Sequence, residues 1–392
     1  MKRTVYADNN ATTKVDERVV EEMFPYLSEY YGNPSSMHLF GGQVEKKLTE
    51  ARERIAAMLN AEPTEIVFTS CGTESDNMAI HSALMSAPEK RHLVTTKVEH
   101  PAVLNYCKHL SKRGYGVTFL SVDRQGMLDL NELYDSIRDD TAIVSIMYAN
   151  NETGVIFPID EIGKIVKEKG SIFHTDAVQA AGKIPLDIQK SETIDFLVLS
   201  GHKFHAPKGI GVLYVRRGTK FRPLLIGGHQ ERGRRPGTEN TASIIAIGKA
   251  AELAQTALDD ELTRVKAMRD RLEQELLTRV PDSVVNGHPT MRTPNTLNIS
   301  FKYVEGEAIL LMLSEQGIAA SSGSACTSGS LEPSHVLRAM GVPFTYSHGS
   351  VRLSLSRFNT ERDIDDIIEK LPPIIQRLRE ISPFGREKEE PK

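Results

Sequence analysis

The sequence predicts an α/β protein, with a mainly parallel central sheet in a large domain and a smaller α+β domain at the C-terminal end. The first observation is rhythm. From Ile66 onward, short apolar runs alternate with helical stretches, the pattern of a parallel sheet covered on both faces. The second is a nearly unbroken, proline-free helical tract from Thr241 to Leu277, long enough to bridge two units. The third is length, since 392 residues exceed a typical single core. The expected division is residues 15–257 for the large domain and 258–392 for the small one. Residues 1–14 are expected to pack against the small domain, which carries a cysteine-bearing loop over 321–333.

Taken in order, Val15 to Tyr30 has helical spacing, and Gln43 to Leu59 is a long amphipathic helix with Val44, Leu48, Ala51, Ile55 and Met58 on one face. Strands are predicted at Ile66–Thr69, Leu93–Thr96, Val117–Ser121, Ala142–Tyr148, Ser171–His174, Asp195–Leu199 and Val212–Val215. Helices are predicted at Ser75–Leu84, Ala102–Leu110 and Ile159–Lys167. Past the long helical tract come strands at Asn295–Phe301, Ile318–Ala320 and Val351–Leu355. Helices at Glu307–Gln316, Ser334–Met340 and Glu361–Leu378 accompany them.

Composition excludes several classes. The balance of 48 basic and 52 acidic residues, net −4, gives no face for a polyanion, so nucleic acid is not an expected partner. No run approaches the roughly 18 apolar residues of a membrane span, and the first residues lack an apolar signal-peptide core. The 3 cysteines, Cys71, Cys107 and Cys326, are widely spaced and odd in number. They fit a reducing, cytoplasmic setting better than a disulfide framework.

In sheets of this kind ligands bind at the C-terminal strand ends, so the loops there hold the chemistry. Ser200-Gly201-His202-Lys203 follows a buried strand. An amine at a strand mouth is desolvated and becomes a nucleophile toward carbonyl compounds. After Ile66–Thr69, Gly72 permits close backbone approach and Thr73 and Ser75 offer hydroxyls where a helix begins, a cradle for phosphate. His100, extended before Pro101, offers an imidazole to stack on a flat ligand. Asn150 and Asn151 supply uncharged amides. Asp176 is an acid at the end of an apolar strand, costly unless it meets a cation such as a pyridinium nitrogen. Each has a bland counterpart: an N-cap, a surface histidine, an ordinary turn, a solvated lysine. Together they match one ligand, pyridoxal 5'-phosphate (PLP), whose protonated ring nitrogen makes it an electron sink.

In the C-terminal unit, Ser321-Ser322-Gly323-Ser324-Ala325-Cys326-Thr327-Ser328 places a thiol in a segment almost without packing side chains. The segment is expected to be mobile and the thiol a nucleophile. Cys107, within a helical pattern, reads as core, and Cys71 as packing. Arg352, on an alternating strand, has a fork suited to a carboxylate.

These motifs resemble the class V aminotransferase-like, fold-type I PLP-dependent transferases, and within them the NifS/IscS-type (group I) cysteine desulfurases. The resemblance runs from Tyr6-Ala7-Asp8-Asn9-Asn10-Ala11-Thr12-Thr13 to the strand around Arg352. Phe204-His205-Ala206 and Ser330-Leu331-Glu332-Pro333-Ser334-His335 are closer to NifS. The resemblance implies that Lys203 holds PLP, His100 stacks on its ring, Asp176 pairs with its nitrogen and Gln179 contacts its phenolic oxygen. Thr73, Ser200 and His202 would bind the phosphate beside Gly72. Arg235-Pro236-Gly237-Thr238 would bring Thr238 to the phosphate from the other subunit, making the homodimer obligate with shared active sites. Arg352 and Asn151, with Asn10, would fix the carboxylate of L-cysteine. Cys326 would take the sulfur as a persulfide, for an iron–sulfur scaffold protein of NifU or IscU type, and would serve as a transient iron–sulfur ligand. Other expectations for the same residues are an aminotransferase or another PLP lyase, such as a selenocysteine lyase, or a catalytically silent sulfur-transfer platform. Cys326 argues against the transaminase, and intact Lys203 and Asp176 against the silent platform.

Overall fold

The alternation from Ile66 onward folds into a single seven-stranded sheet in the computed structural model, which describes residues 3–322 and 333–382. A short strand, β1 (Val5–Tyr6), precedes it. The sheet is made of β2 (Ile66–Thr69), β3 (His92–Thr96), β4 (Gly116–Leu120), β5 (Thr141–Ser145), β6 (Ile172–Asp176), β7 (Phe196–Ser200) and β8 (Gly211–Val215). Their order is β2-β8-β7-β6-β5-β3-β4. All neighbours are parallel except β8, which runs antiparallel to both β2 and β7. Every residue of β2, β3, β5, β7 and β8 is buried, as continuous apolar strands between helical layers require.

One face is covered by the helices Gly72–Ser86 and Pro101–Ser111, which bury Ile80, Leu84, Val103, Cys107 and Leu110 against Leu93 and Ile143. The other carries the larger core, where Leu39–Leu59 lies along Thr241–Thr256. A Cβ on Gly248 would meet Ala51 Cα at 2.5 Å, so only glycine lets these helices approach so closely. A second core gathers β10 (Thr296–Phe301), β12 (Ser350–Ser354) and the helices Lys266–Arg279, Gly306–Glu315 and Glu361–Ile381. Between β10 and the first of these helices lies β9 (Ser283–Val285), antiparallel to β10, as is β12. Val5 and Ala7 belong to this second core, and β1 pairs in parallel with β11 (Ile318–Ala319). Val336, Leu337, Met340 and Val342, late in the sequence, join the first core.

Three elements differ from expectation. Val15–Tyr30 is two helices, Glu17–Met23 and Pro25–Ser28, because Pro25 cannot continue the first and instead opens the second. The tract Thr241–Leu277 is interrupted by a π turn at Glu261–Val265, where Glu261 Oε1 accepts the backbone N–H of Arg357 at 3.1 Å. Such turns often mark functional sites. The strand expected over Ser171–His174 runs Ile172–Asp176, so Asp176 is its last residue rather than part of the loop after it.

Candidate active site

The C-terminal ends of β2, β3, β6 and β7 border a cavity of about 310 Å³. Asn10, Gly72, Thr73, His100, Asn151, Asp176, Gln179, Ser200, His202, Lys203 and Arg352 all line it. Thr238 does not. It is exposed and lines a separate cavity of about 240 Å³ with Ser70 and Arg235. Cys326 lies outside the described residues, as does most of the segment 321–333.

β7 ends at Ser200 and the chain makes one tight turn through Gly201–Lys203. Lys203 Nζ donates to the main-chain carbonyls of Asn10 at 2.7 Å and Ala11 at 2.8 Å. The N-terminal segment that supplies them is laced to the same turn. Thr13 N donates to His202 O at 2.9 Å, His205 N donates to Thr13 Oγ1 at 2.8 Å, and His202 Nδ1 lies 3.2 Å from Thr12 Oγ1. These carbonyl partners carry no side-chain signature and were not readable from sequence.

At the opposite end, the helix Gly72–Ser86 starts after an extended Cys71 with no side-chain cap. Its first-turn N–H groups and positive dipole end therefore remain for an anion. A Cβ on Gly72 would stand 3.2 Å from Val178 Cγ2 and 3.5 Å from Ser200 Cβ, so glycine keeps the cradle tight against β7. Cys71, expected to be packing, lines the cavity here. Cys107 is core, its thiol pushed up to about 12 by burial.

Asp176 is buried, and its Oδ1 accepts the N–H of Val178 at 2.9 Å. Burial pushes it up to about 6, opposed by that N–H and by Lys203. Asp76, buried and also lining the cavity, is driven well above the usual carboxylate range by burial, then by Asp176 and Glu99. Its Oδ1 stands 3.4 Å from His174 Nε2. Of these two acids, Asp76 has its charge disfavoured by burial and by its acidic neighbours, whereas Asp176 is the one whose charge the Val178 N–H and Lys203 favour. Asp76 was missed although its signal was present: with Ser75, Ala79, Ile80 and Ala83 it lies on the buried stripe of its helix.

His100 is the N-cap of Pro101–Ser111, its Nδ1 accepting Ala102 N at 3.2 Å. Burial, then Lys203 and His335, push it down to about 4, so it presents a flat, neutral ring with its proton on Nε2. Gln179 donates from Nε2 to Asn10 O at 3.0 Å. Arg352, 2% exposed, is gripped by Asp8 (Nη2 to Oδ1, 2.7 Å) and Asn151 O (from Nη1, 2.9 Å). Asn10's side chain is committed elsewhere, to Thr296 Oγ1 at 2.8 Å and Asn295 Nδ2 at 3.0 Å, so its carbonyl is what reaches Lys203. Glu152 and His335 also line the cavity and were not singled out by sequence. Glu152 accepts from Ser334 Oγ, and His335 Nε2 lies 3.0 Å from Glu99 O.

The class-V aminotransferase family matches residues 5–367. A cysteine desulfurase of Trichormus azollae is 65% identical over 380 residues, covering 97% of this chain and 95% of its own. The chain belongs to the class-V aminotransferase family, among its cysteine desulfurases. The cysteine desulfurase NifS of Azotobacter vinelandii is 58% identical over 381 residues, 97% of this chain and 94% of that protein. A solved NifS-like protein, 40% identical, superposes with a TM-score of 0.90 over 96% of this chain and 100% of that one.

Cysteine desulfurases of this family depend on PLP, and the cavity fits that group. The uncapped helix end above Gly72 suits a phosphate, the ionisable Asp176 a ring nitrogen, the neutral ring of His100 a flat face, and Lys203 an aldehyde.

Proposed function

We propose that this member of the cysteine desulfurases converts L-cysteine to L-alanine, with Cys326 taking the sulfur as a persulfide. The observation that carries the reading is the junction of Ser321 with Arg352. Ser321, a few residues before Cys326 in the sequence, is hydrogen-bonded to the backbone of the arginine beside the cavity.

PLP, when bound, supplies the electron sink beside the substrate carbon. Lys203 would hold it and would move a proton at that carbon, with Asn10 O and Ala11 O as its resting acceptors. Asp176 would hold the ring nitrogen, His100 would offer its flat ring to the cofactor and Gln179 would donate to the phenolic oxygen. Thr73, Ser200, His202 and the helix N–H groups hold the phosphate. Thr238 of the partner subunit completes this phosphate site, and the exposed apolar side chains Met37, Leu39 and Ile226 offer surface for that homodimer. Arg352 and Asn151 orient the substrate carboxylate, with Asn10 as their support. The Cys326 thiolate attacks the substrate sulfur. The carbon–sulfur bond breaks as the sulfur–sulfur bond forms, and the carbon, keeping that electron pair, is protonated to give alanine.

The persulfide then serves an iron–sulfur scaffold protein of NifU or IscU type, in the cytoplasm, with Cys326 a transient cluster ligand. No described helix is long and apolar enough to cross a membrane. The test is to incubate PLP-loaded protein with L-cysteine and assay alanine and sulfide. Wild type yields both, and Cys326→Ala yields no sulfide while keeping bound PLP. Sulfide release at the wild-type rate by Cys326→Ala overturns the reading.

A further inference from the structure

Behind the cavity wall lies a second amine that these roles leave unused. Lys183 is buried, 6% exposed, and its Nζ donates to Gln179 Oε1 at 2.7 Å. Gln179 donates from Nε2 to Asn10 O at 3.0 Å, the same carbonyl that accepts Lys203 Nζ at 2.7 Å. A main-chain carbonyl can only accept, and a lysine offers N–H donors. These partners fix the amide from both sides, with oxygen toward Lys183 and nitrogen toward Asn10. One Nε2 hydrogen goes to Asn10 O, and the other remains for the cavity that Gln179 lines.

We infer that Lys183 is a positioning residue for the cofactor: it sets the Gln179 amide so that an N–H, rather than a C=O, meets the phenolic oxygen. This rests on the reading of Gln179 given above. Without Lys183 only the bond to Asn10 O holds the amide, and an amide that turns over sets an oxygen lone pair against an anionic oxygen.

The surroundings of Lys183 make this role tolerant of pH. With Lys203, His205, Glu261 and Arg357 it lines a cavity of about 10 Å³, close to the volume of a single water. Lys203 and Arg352 disfavour its charge, Glu261 favours it, and burial outweighs them all, pushing it down to about 7. Glu261 is buried in the π turn, itself pushed up to about 7, and its Oε2 has no hydrogen-bond partner among the described residues. Ammonium or neutral amine, Lys183 keeps an N–H for Gln179 Oε1. The amide therefore holds its orientation through neutrality.

The test is the pH titration of the visible absorbance of PLP-loaded protein, whose midpoint reports how well the phenolate is stabilised. Lys183→Met is expected to raise that midpoint by about one pH unit, the shift that a lost hydrogen bond to a charged oxygen produces. The same substitution in a Gln179→Leu background is expected to add nothing, because Lys183 acts through the amide. Lys183→Ala carries the same expectation if the methionine variant does not fold. An unchanged midpoint, or an equal shift with and without Gln179, overturns the proposal. A wild-type protein that develops no visible band with PLP overturns the underlying reading as well, a distinguishable failure.

Discussion

Ser321 and Arg352 exchange both backbone hydrogen bonds, Ser321 N to Arg352 O at 3.2 Å and Arg352 N to Ser321 O at 2.6 Å. This isolated antiparallel bridge ties the root of the thiol-bearing segment to the main chain of the residue whose guanidinium faces the cavity. The bridge uses backbone atoms alone, so a change to the side chain at 352 removes none of its donors or acceptors.

Arg352→Lys is expected to lower kcat/KM for L-cysteine about 10- to 100-fold, mainly through KM, because a point charge replaces a bidentate fork. Steady-state alanine formation measures it. Bound PLP should be unchanged, and a loss of cofactor would place Arg352 elsewhere in the mechanism.

Borohydride reduction of the PLP-loaded protein should fix the cofactor's mass on the peptide containing Lys203 and on no other. Lys203→Ala is expected to lose both this adduct and at least about 100-fold in rate, the typical contribution of a positioned acid–base group. Peptide mass spectrometry decides it. An adduct on Lys183 would reassign the site.

Glu99 is fully buried and pushed up to about 8 by burial, against the N–H of Met147 and the hydroxyl of Thr96. Its folded value lies above its unfolded value of 4.5, so the folded chain holds a proton that the unfolded chain releases first. Stability from this group is therefore lost as pH rises from 4.5 toward 8, with a slope of up to about 1.4 kcal/mol per pH unit. Glu99→Gln should flatten that decline. Thermal unfolding of wild type and variant between pH 5 and pH 8 measures it, and parallel curves would contradict the assignment.

Thr238 sits on a segment moored by the Arg235–Glu74 ion pair, at 2.8 Å, to the first turn of the helix Gly72–Ser86. Thr238→Val and Arg235→Ala are each expected to weaken PLP binding about tenfold. Mixing Lys203→Ala chains with Thr238→Val chains should restore one intact site per hybrid dimer if the sites are shared. No recovery of tight PLP binding and activity would mean that each site belongs to one chain.

Much of the site was legible because it uses side chains at strand ends. The apolar runs located β2 and β7 to within a residue, and the loops after them yielded Gly72, Thr73, Ser200 and Lys203 directly. What stayed hidden depends on packing. The reversal of β8 between β2 and β7 has no local signal, since Gly211–Val215 reads as a strand in either direction. The break at Glu261 is invisible to helical periodicity because every residue there is a tolerable helix former. Glu99 and Lys183 are charged by type, which gives no sign of burial, yet both are buried. The small residues before Lys183, Ala180-Ala181-Gly182, were the one hint that no room for solvent lay nearby.

The N-terminal segment also fixes when activity can arise. Asn9 and Asn10 donate from their backbones to Ser354 O and Ser354 Oγ, and β1 lies on β11. The carbonyls of Asn10 and Ala11 are therefore placed only after residue 354 has left the ribosome, long after Lys203. A chain that stops before residue 354 lacks this anchor and keeps the contacts of Thr12 and Thr13 with the Lys203 turn. The start of the chain is thus built against its last two described strands, and the site between them needs both ends of the sequence.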